Sequence, residues 1–253
     1  MKYLIVLISF FSFLVAKSVV VSILPEKGVV EKIAGKKVKV SVVVPKGSEP
    51  HTFEPKPSIM KKISNGDIYY SIGVEFEESW LTKFQTQNPK LKIIKLDENI
   101  TKINQNPHVW LSLKNLQLIA DKVYKSLDND SLKENLDLYK SELQACDKEI
   151  QKIVKEKKNK TFMTFHPAFT YFARDYNLTQ IAVEKDGKEP SLKELLNLLK
   201  EAKKKGIKAI ITSPEFSDKS AKVISNELGI KVLKISPLDV DICHNLKKIA
   251  KSL

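Results

Sequence analysis

The chain has 253 residues and a formal net charge of +13, from 43 Lys and Arg against 30 Asp and Glu. That length holds one large or two small domains beyond any leader. The basic residues are mostly lysines scattered in mixed-sign company, as in Glu201-Ala202-Lys203-Lys204-Lys205. No arginine-rich stripe or aromatic–basic interleaving is present, which argues against nucleic acid and leaves solvated lysine faces that suit an acidic partner or an anionic membrane.

Met1-Lys2 is followed by an apolar run from Tyr3 to Val15, broken only by Ser9 and Ser12, and then by the small Ala16. This predicts a signal peptide over residues 1–16. The run is shorter than the roughly 20 apolar residues of a membrane span. Leu14 fits the small-x-small rule poorly, which blurs the cleavage point by a few residues. No cysteine follows the run, so a lipid anchor is not expected. The mature protein is expected to be exported, soluble and periplasmic.

Short runs rich in Val and Ile then alternate with helical stretches. Strands are predicted at Val19–Leu24, Val38–Val44, Ile68–Ile72 and Leu91–Leu96, with helices at Pro57–Ser64 and Glu77–Phe84 among them. A second block predicts strands at Thr161–Phe165, Thr179–Val183, Ile207–Thr212 and Lys231–Ile235. Its helices are expected at Ala168–Tyr176, Ser191–Lys204 and Asp218–Leu228, with a last helix around Asp241–Asn245. Gly206 and Gly229 stand just past a helix and just before a strand, as a C′ glycine should. Alternation of this kind indicates parallel sheets covered by helices.

Between the blocks, Leu132, Leu136, Tyr139, Leu143, Cys146, Ile150 and Ile153 repeat with 4-3 spacing, which puts them on one helical face. Ser131-Leu132-Lys133-Glu134 reads as a capping box. A helix from Ser131 to about Lys157 is roughly 40 Å long. It is expected to pack across both blocks, with a coiled-coil dimer as the alternative. The fold class is therefore α/β, with two lobes of parallel sheet joined by one long rigid helix. The expected divisions are 17–127, 128–158 and 159–253. Cys146 and Cys243 are 97 positions apart. Export permits a disulfide. The apolar stripe around Cys146 favours a buried free thiol, since pairing would need the last helix to reach it.

Three of the four histidines adjoin proline: Glu49-Pro50-His51, Asn106-Pro107-His108 and His166-Pro167. Proline fixes φ and biases its predecessor to extended backbone, so each imidazole sits on a stiff loop. His51 and His166 follow predicted strands, where open α/β sheets bind ligands. Imidazole is the commonest metal ligand side chain. Three of them with no matching cysteine set form an open zinc site rather than a closed structural one. His244 lies inside the last helix and reads as an ordinary helix residue.

Enzyme motifs are absent. There is no Gly-x-Ser-x-Gly elbow, no Gly-rich phosphate loop and no His-Glu-x-x-His. A zinc-dependent hydrolase built on the three histidines stays open as an alternative, with Glu49 or Glu215 as its base. So does a structural or adhesin-like surface protein that uses the metal only for folding.

The segment Gly47-Ser48-Glu49-Pro50-His51-Thr52-Phe53-Glu54-Pro55 resembles the first signature of the zinc and manganese solute receptors of ABC importers. Asn106-Pro107-His108-Val109-Trp110-Leu111 and His166-Pro167-Ala168-Phe169-Thr170-Tyr171-Phe172 are similar to their second and third ligand segments. Ser213-Pro214-Glu215-Phe216-Ser217 and Ser236-Pro237-Leu238 resemble two further stretches. The resemblance covers essentially the whole mature chain in order. It implies a receptor, not an enzyme, that carries Zn²⁺ as its transported ligand to an inner-membrane ABC importer permease, as a monomer. His51, His108 and His166 are the implied ligands. Manganese-type relatives have glutamate at the third position, so three nitrogens favour zinc, with manganese as the alternative. The family's aspartate ligand falls on Ser236, a poor ligand. Asp239 is the expected fourth ligand, ahead of Glu49, Glu215 or water. The segment Asp97–Asn106 has no histidine, so the accessory His-rich loop of many zinc-type relatives is missing.

Overall fold

The computed structural model describes residues 16–184, 188, 190–215 and 219–253. The expected signal peptide lies outside the described residues except for Ala16, as do Phe216, Ser217 and Asp218 of the later stretches.

The first block contains β1 (Lys17–Val21), α1 (Leu24–Ala34), β2 (Val38–Val42), α2 (Pro57–Ser64), β3 (Ile68–Ser71), α3 (Phe76–Gln87), β4 (Lys92–Lys95) and α4 (Leu113–Leu127). The long helix α5 spans Lys133–Glu156. The second block contains β5 (Thr161–Thr164), α6 (Thr170–Asp175), β6 (Thr179–Ala182), α7 (Leu192–Lys205), β7 (Ala209–Thr212), α8 (Lys219–Leu228), β8 (Lys231–Lys234) and α9 (Ile242–Ser252). Every predicted strand is present, with slightly shifted ends. Leu24, expected to end the first strand, instead opens α1, with Pro25 behind it in the first turn where a missing N–H costs nothing.

Each block folds as a four-stranded, all-parallel sheet, in the orders β2-β1-β3-β4 and β6-β5-β7-β8. The strand order reverses between β1 and β3 and again between β5 and β7, so each sheet has a crevice beyond its carboxyl edge. The central strands β3, β5 and β7 are buried along their whole length, as expected of sheets covered on both faces.

α5 ties the blocks together. Leu136, Leu143, Cys146, Ile150 and Val154 bury its inner face. They belong to one continuous apolar core with Val30 and Ile33 of α1, Ile119 and Val123 of α4, and Leu246 and Ile249 of α9. The 4-3 stripe is therefore used inside the molecule and not as a coiled-coil seam. The second sheet has its own smaller core on the opposite face, around Met163, Ile181, Ile210 and Ile224 under α7 and α8.

Two local expectations are corrected. The chain enters α5 through a 3₁₀ turn at Asp130–Leu132, so Ser131 is not the cap. Asn129 caps that turn instead: its Oδ1 accepts from both the backbone N and the hydroxyl of Ser131, at 3.1 and 2.6 Å. Cys146 is not a free thiol. α9 lies along α5 and Cys243 bonds to Cys146, with the Cα atoms 6.1 Å apart. The last helix does reach the stripe, because Ile242, Leu246 and Ile249 pack into the same core.

Candidate metal centre

The loop from β2 to His51 is shaped by its own side chains. Gly47 takes φ +82°, a left-handed conformation that glycine alone adopts freely. The Glu49 carboxylate accepts from the backbone N of His51 at 2.7 Å, and from the N and hydroxyl of Thr52 at 3.1 and 2.8 Å. His51 is thereby presented with its ring towards the crevice. Its Nδ1 lies 2.5 Å from Oε2 of Glu75, which immediately precedes α3.

His108 leads the segment into α4 and is 5 % exposed. Asn106 Oδ1 accepts from both its backbone N and its Nδ1, at 2.9 and 2.8 Å. His166 lies two residues past the end of β5, and its Nδ1 is 3.1 Å from Oε2 of Glu184, two residues past the end of β6. Each of the three rings thus has its Nδ1 against an oxygen acceptor. A ring that donates from Nδ1 keeps its lone pair on Nε2, the tautomer suited to metal binding.

The three rings converge. Ring centroids are 5.0 Å apart for His108 and His166, 5.2 Å for His51 and His166, and 5.7 Å for His51 and His108. One nitrogen from each lies within 4.8 Å of the others. The Nε2 atoms of His108 and His166 are 3.3 Å apart. A tetrahedral zinc with Zn–N bonds of about 2.0–2.1 Å separates its nitrogens by roughly 3.3–3.4 Å. Two lone-pair nitrogens repel at that distance and cannot hydrogen-bond, whereas a shared cation satisfies both.

The electrostatics suit a cation as well. Burial, reinforced by the neighbouring His166 and His51, holds His108 well below the usual imidazole pKa, so it is neutral. Burial also pulls His51 down, but the bond and charge of Glu75, then Glu49 and Glu184, outweigh it and raise its pKa. Burial pushes Glu75 up, yet the His51 contact prevails and its carboxyl is lowered. The carboxylates thus stand one step behind the imidazoles, positioned to balance a dication.

Among the expected ligands, the structure unites His51, His108 and His166 and leaves Asp239 outside. Asp239 is exposed, and its Oδ1 accepts the backbone N of Asp241 at 3.2 Å, which shapes the turn into α9. Glu49 Oε1 is 3.7 Å from His51 Nε2 but is engaged in its own turn. Glu215 borders a small cavity with His51 and His108. Ser236 donates its hydroxyl to Glu215 at 2.6 Å. His244 is a helix residue, its backbone N capped by Asp241 at 2.9 Å. Sequence reasoning missed Glu75 and Glu184. Their one available signal is position, each just past the carboxyl end of a strand.

Comparisons with known proteins place the chain in a family. The family model described as "Zinc-uptake complex component A periplasmic" matches residues 19–245. A solved structure of ZnuA is 37% identical, with a TM-score of 0.89 over 94% of this chain and 97% of that one. Zinc-binding protein AdcA of Streptococcus pyogenes is 30% identical over 245 residues, 82% of this chain. The chain spans about half the length of AdcA, 47%. A manganese-bound periplasmic metal binding protein of Candidatus Liberibacter asiaticus is 21% identical with a TM-score of 0.82, covering 94% and 99% of the two chains, and shares the fold. With its family model spanning nearly the whole described chain, this protein belongs to the zinc-uptake complex component A family of periplasmic binding proteins.

Proposed function

We propose that this protein binds Zn²⁺ between its two lobes through His51, His108 and His166 and hands it to the permease of an ABC importer. The observation that carries the reading is the 3.3 Å approach of the Nε2 atoms of His108 and His166, each with its Nδ1 anchored behind it. Membership in a family of uptake receptors sets aside the zinc-hydrolase alternative.

Zinc is favoured over manganese by chemistry. The group offers imidazole nitrogens, and among the described residues no carboxylate joins it. Nitrogen donors suit zinc, whereas manganese prefers oxygen. A manganese-bound relative shares the fold, and a carboxylate replacing one imidazole is the change that would shift preference towards that metal.

Loading and release follow from where the ligands sit. His51 and His108 belong to loops of the first sheet, and His166 follows the first strand of the second. Separating the lobes by a small hinge would divide the ligand set and weaken the metal's hold. The shared core around α5, and the bond from Trp110 Nε1 to Pro237 O at 2.8 Å, limit that motion to a modest one. In this reading the receptor is exported and works as a single chain.

Titration of the metal-free protein against a chromophoric zinc chelator tests the reading. One zinc per chain should bind with a Kd below about 10 µM, corresponding to about −7 kcal/mol or better. Replacing all three histidines by alanine should abolish it. Unchanged stoichiometry in that variant would refute the site.

A further inference from the structure

Three imidazoles leave a tetrahedral zinc one position short. A cavity of about 10 Å³ adjoins two of them, His51 and His108, and is bounded further by Trp110, Glu215 and Pro237. That volume is close to the space one water molecule needs. Glu215, from the turn after β7, is the only carboxylate bordering it among the described residues. Two hydroxyls hold that carboxylate. Ser236 Oγ, from the turn after β8, donates to Oε1 at 2.6 Å, and Ser213 Oγ donates to Oε2. Ser236 is itself oriented by the backbone N of Leu238, which donates to its Oγ at 3.1 Å.

We propose that the fourth zinc position is a water molecule in this cavity, held by Glu215, with Ser213 and Ser236 as the residues that aim the carboxylate. The proposal rests on the zinc reading of the three histidines. Glu215 lies outside the three-nitrogen group, so it acts on the metal through the water. An anionic acceptor there orients the water's protons away from the cation and offsets part of its charge inside a walled pocket, where charge interactions outweigh those in bulk solvent. This gives the serine at position 236 a definite role. It cannot usefully bind zinc, but it can donate to the carboxylate that serves the zinc's water.

The experiment measures zinc affinity by chelator competition, and the visible spectrum of the cobalt(II)-substituted protein, for E215A, E215Q, S236A, D239A and H166A. Thermal unfolding confirms that each variant is folded. E215A should weaken zinc binding about tenfold or more and shift the cobalt(II) bands, because the fourth ligand's field changes. E215Q should fall between wild type and E215A. S236A should weaken binding severalfold, and D239A should leave it unchanged. If E215A and E215Q keep wild-type affinity and an unshifted cobalt spectrum while H166A loses binding, the histidine site stands and the role of Glu215 is overturned. Loss in D239A in place of E215A overturns it equally. If H166A also binds normally, it is the histidine site itself that fails.

Discussion

Asn106 grips His108 with its oxygen and the loop behind His166 with its nitrogen. Its Oδ1 accepts from His108 Nδ1 at 2.8 Å, while its Nδ2 donates to Pro167 O at 2.8 Å and to Thr170 Oγ1 at 3.2 Å. Its backbone O accepts from Tyr171 Oη at 2.6 Å, and that oxygen in turn accepts from the backbone N of Ile103 at 3.2 Å. One side-chain amide therefore sets the tautomer of a ligand from the first lobe and its placement relative to a ligand of the second. Removing the partner behind a metal-binding imidazole typically costs 10- to 100-fold in affinity. Asn106→Ala is expected to weaken zinc binding by about tenfold or more, measured by chelator competition. Asn106→Asp keeps the acceptor for His108 but loses the donor to Pro167, and should retain more affinity than the alanine variant.

Glu75 and Glu184 are expected to matter in the same way for His51 and His166. Each faces an Nδ1, at 2.5 and 3.1 Å, and each contributes negative charge behind the metal position. Glu184 is the more enclosed, with its side chain 11 % exposed against 46 % for Glu75. Charge screening by solvent weakens the exposed pair. Glu184→Gln should therefore reduce zinc affinity by roughly tenfold, and Glu75→Gln by less. Calorimetric titration of both variants checks the order. Equal affinities in wild type and Glu184→Gln would show that the carboxylate does not support the ligand.

The legibility of this site followed chemistry that local sequence encodes. Proline beside His51, His108 and His166 marked stiff loops, and short Val/Ile runs marked the strands whose ends those loops extend. Glu75 and Glu184 carry no such mark. They act only because two strands of different sheets end near the same point, which is a property of topology. The Asp239 expectation failed to find support for a related reason: its local setting, an aspartate two residues before Asp241 at a helix start, is satisfied by turning the chain. The disulfide joins residues 97 apart and depends on α9 docking along α5, so neither spacing nor the apolar stripe could reveal it.

That disulfide should matter for stability and little for the metal. It closes a long loop, and for loops of about 100 residues the chain-entropy model gives up to about 4.7 kcal/mol, with measured losses of typically 2–5 kcal/mol. Cys146→Ser combined with Cys243→Ser should lower the unfolding free energy by a few kcal/mol in urea titrations. The zinc affinity of the folded variant should stay within about threefold of wild type, a difference below 1 kcal/mol, because neither cysteine borders the histidine group or the cavity beside it. A large loss of affinity at intact fold would show that α9 controls the spacing of the lobes.

Two buried acids of the first block make stability depend on pH. Glu77 lies in the first turn of α3, where its carboxyl accepts from the backbone N of Ile72 at 3.0 Å and of Gly73 at 2.8 Å, and from the hydroxyl of Ser22. Glu26 sits nearby in α1, 1 % exposed, accepting the backbone N of Ile23 at 2.9 Å. Burial raises Glu77 to about 7 even though those hydrogen bonds oppose it. Burial, then the charge of Glu77, raises Glu26 well above its ordinary value. A carboxyl whose pKa is higher in the folded state binds its proton more tightly when folded. Its contribution to stability is complete below the unfolded value of 4.5 and is lost as pH rises through about 7. Glu77→Gln is neutral throughout, so its stability should lack this loss. Between pH 5 and pH 8, the metal-free wild type should lose on the order of 1–3 kcal/mol relative to the variant. Urea unfolding of both proteins in the presence of a chelator, at several pH values across that window, reads the difference directly. Parallel stability curves would show that Glu77 titrates alike in the folded and unfolded chain and that its burial carries no protonation cost.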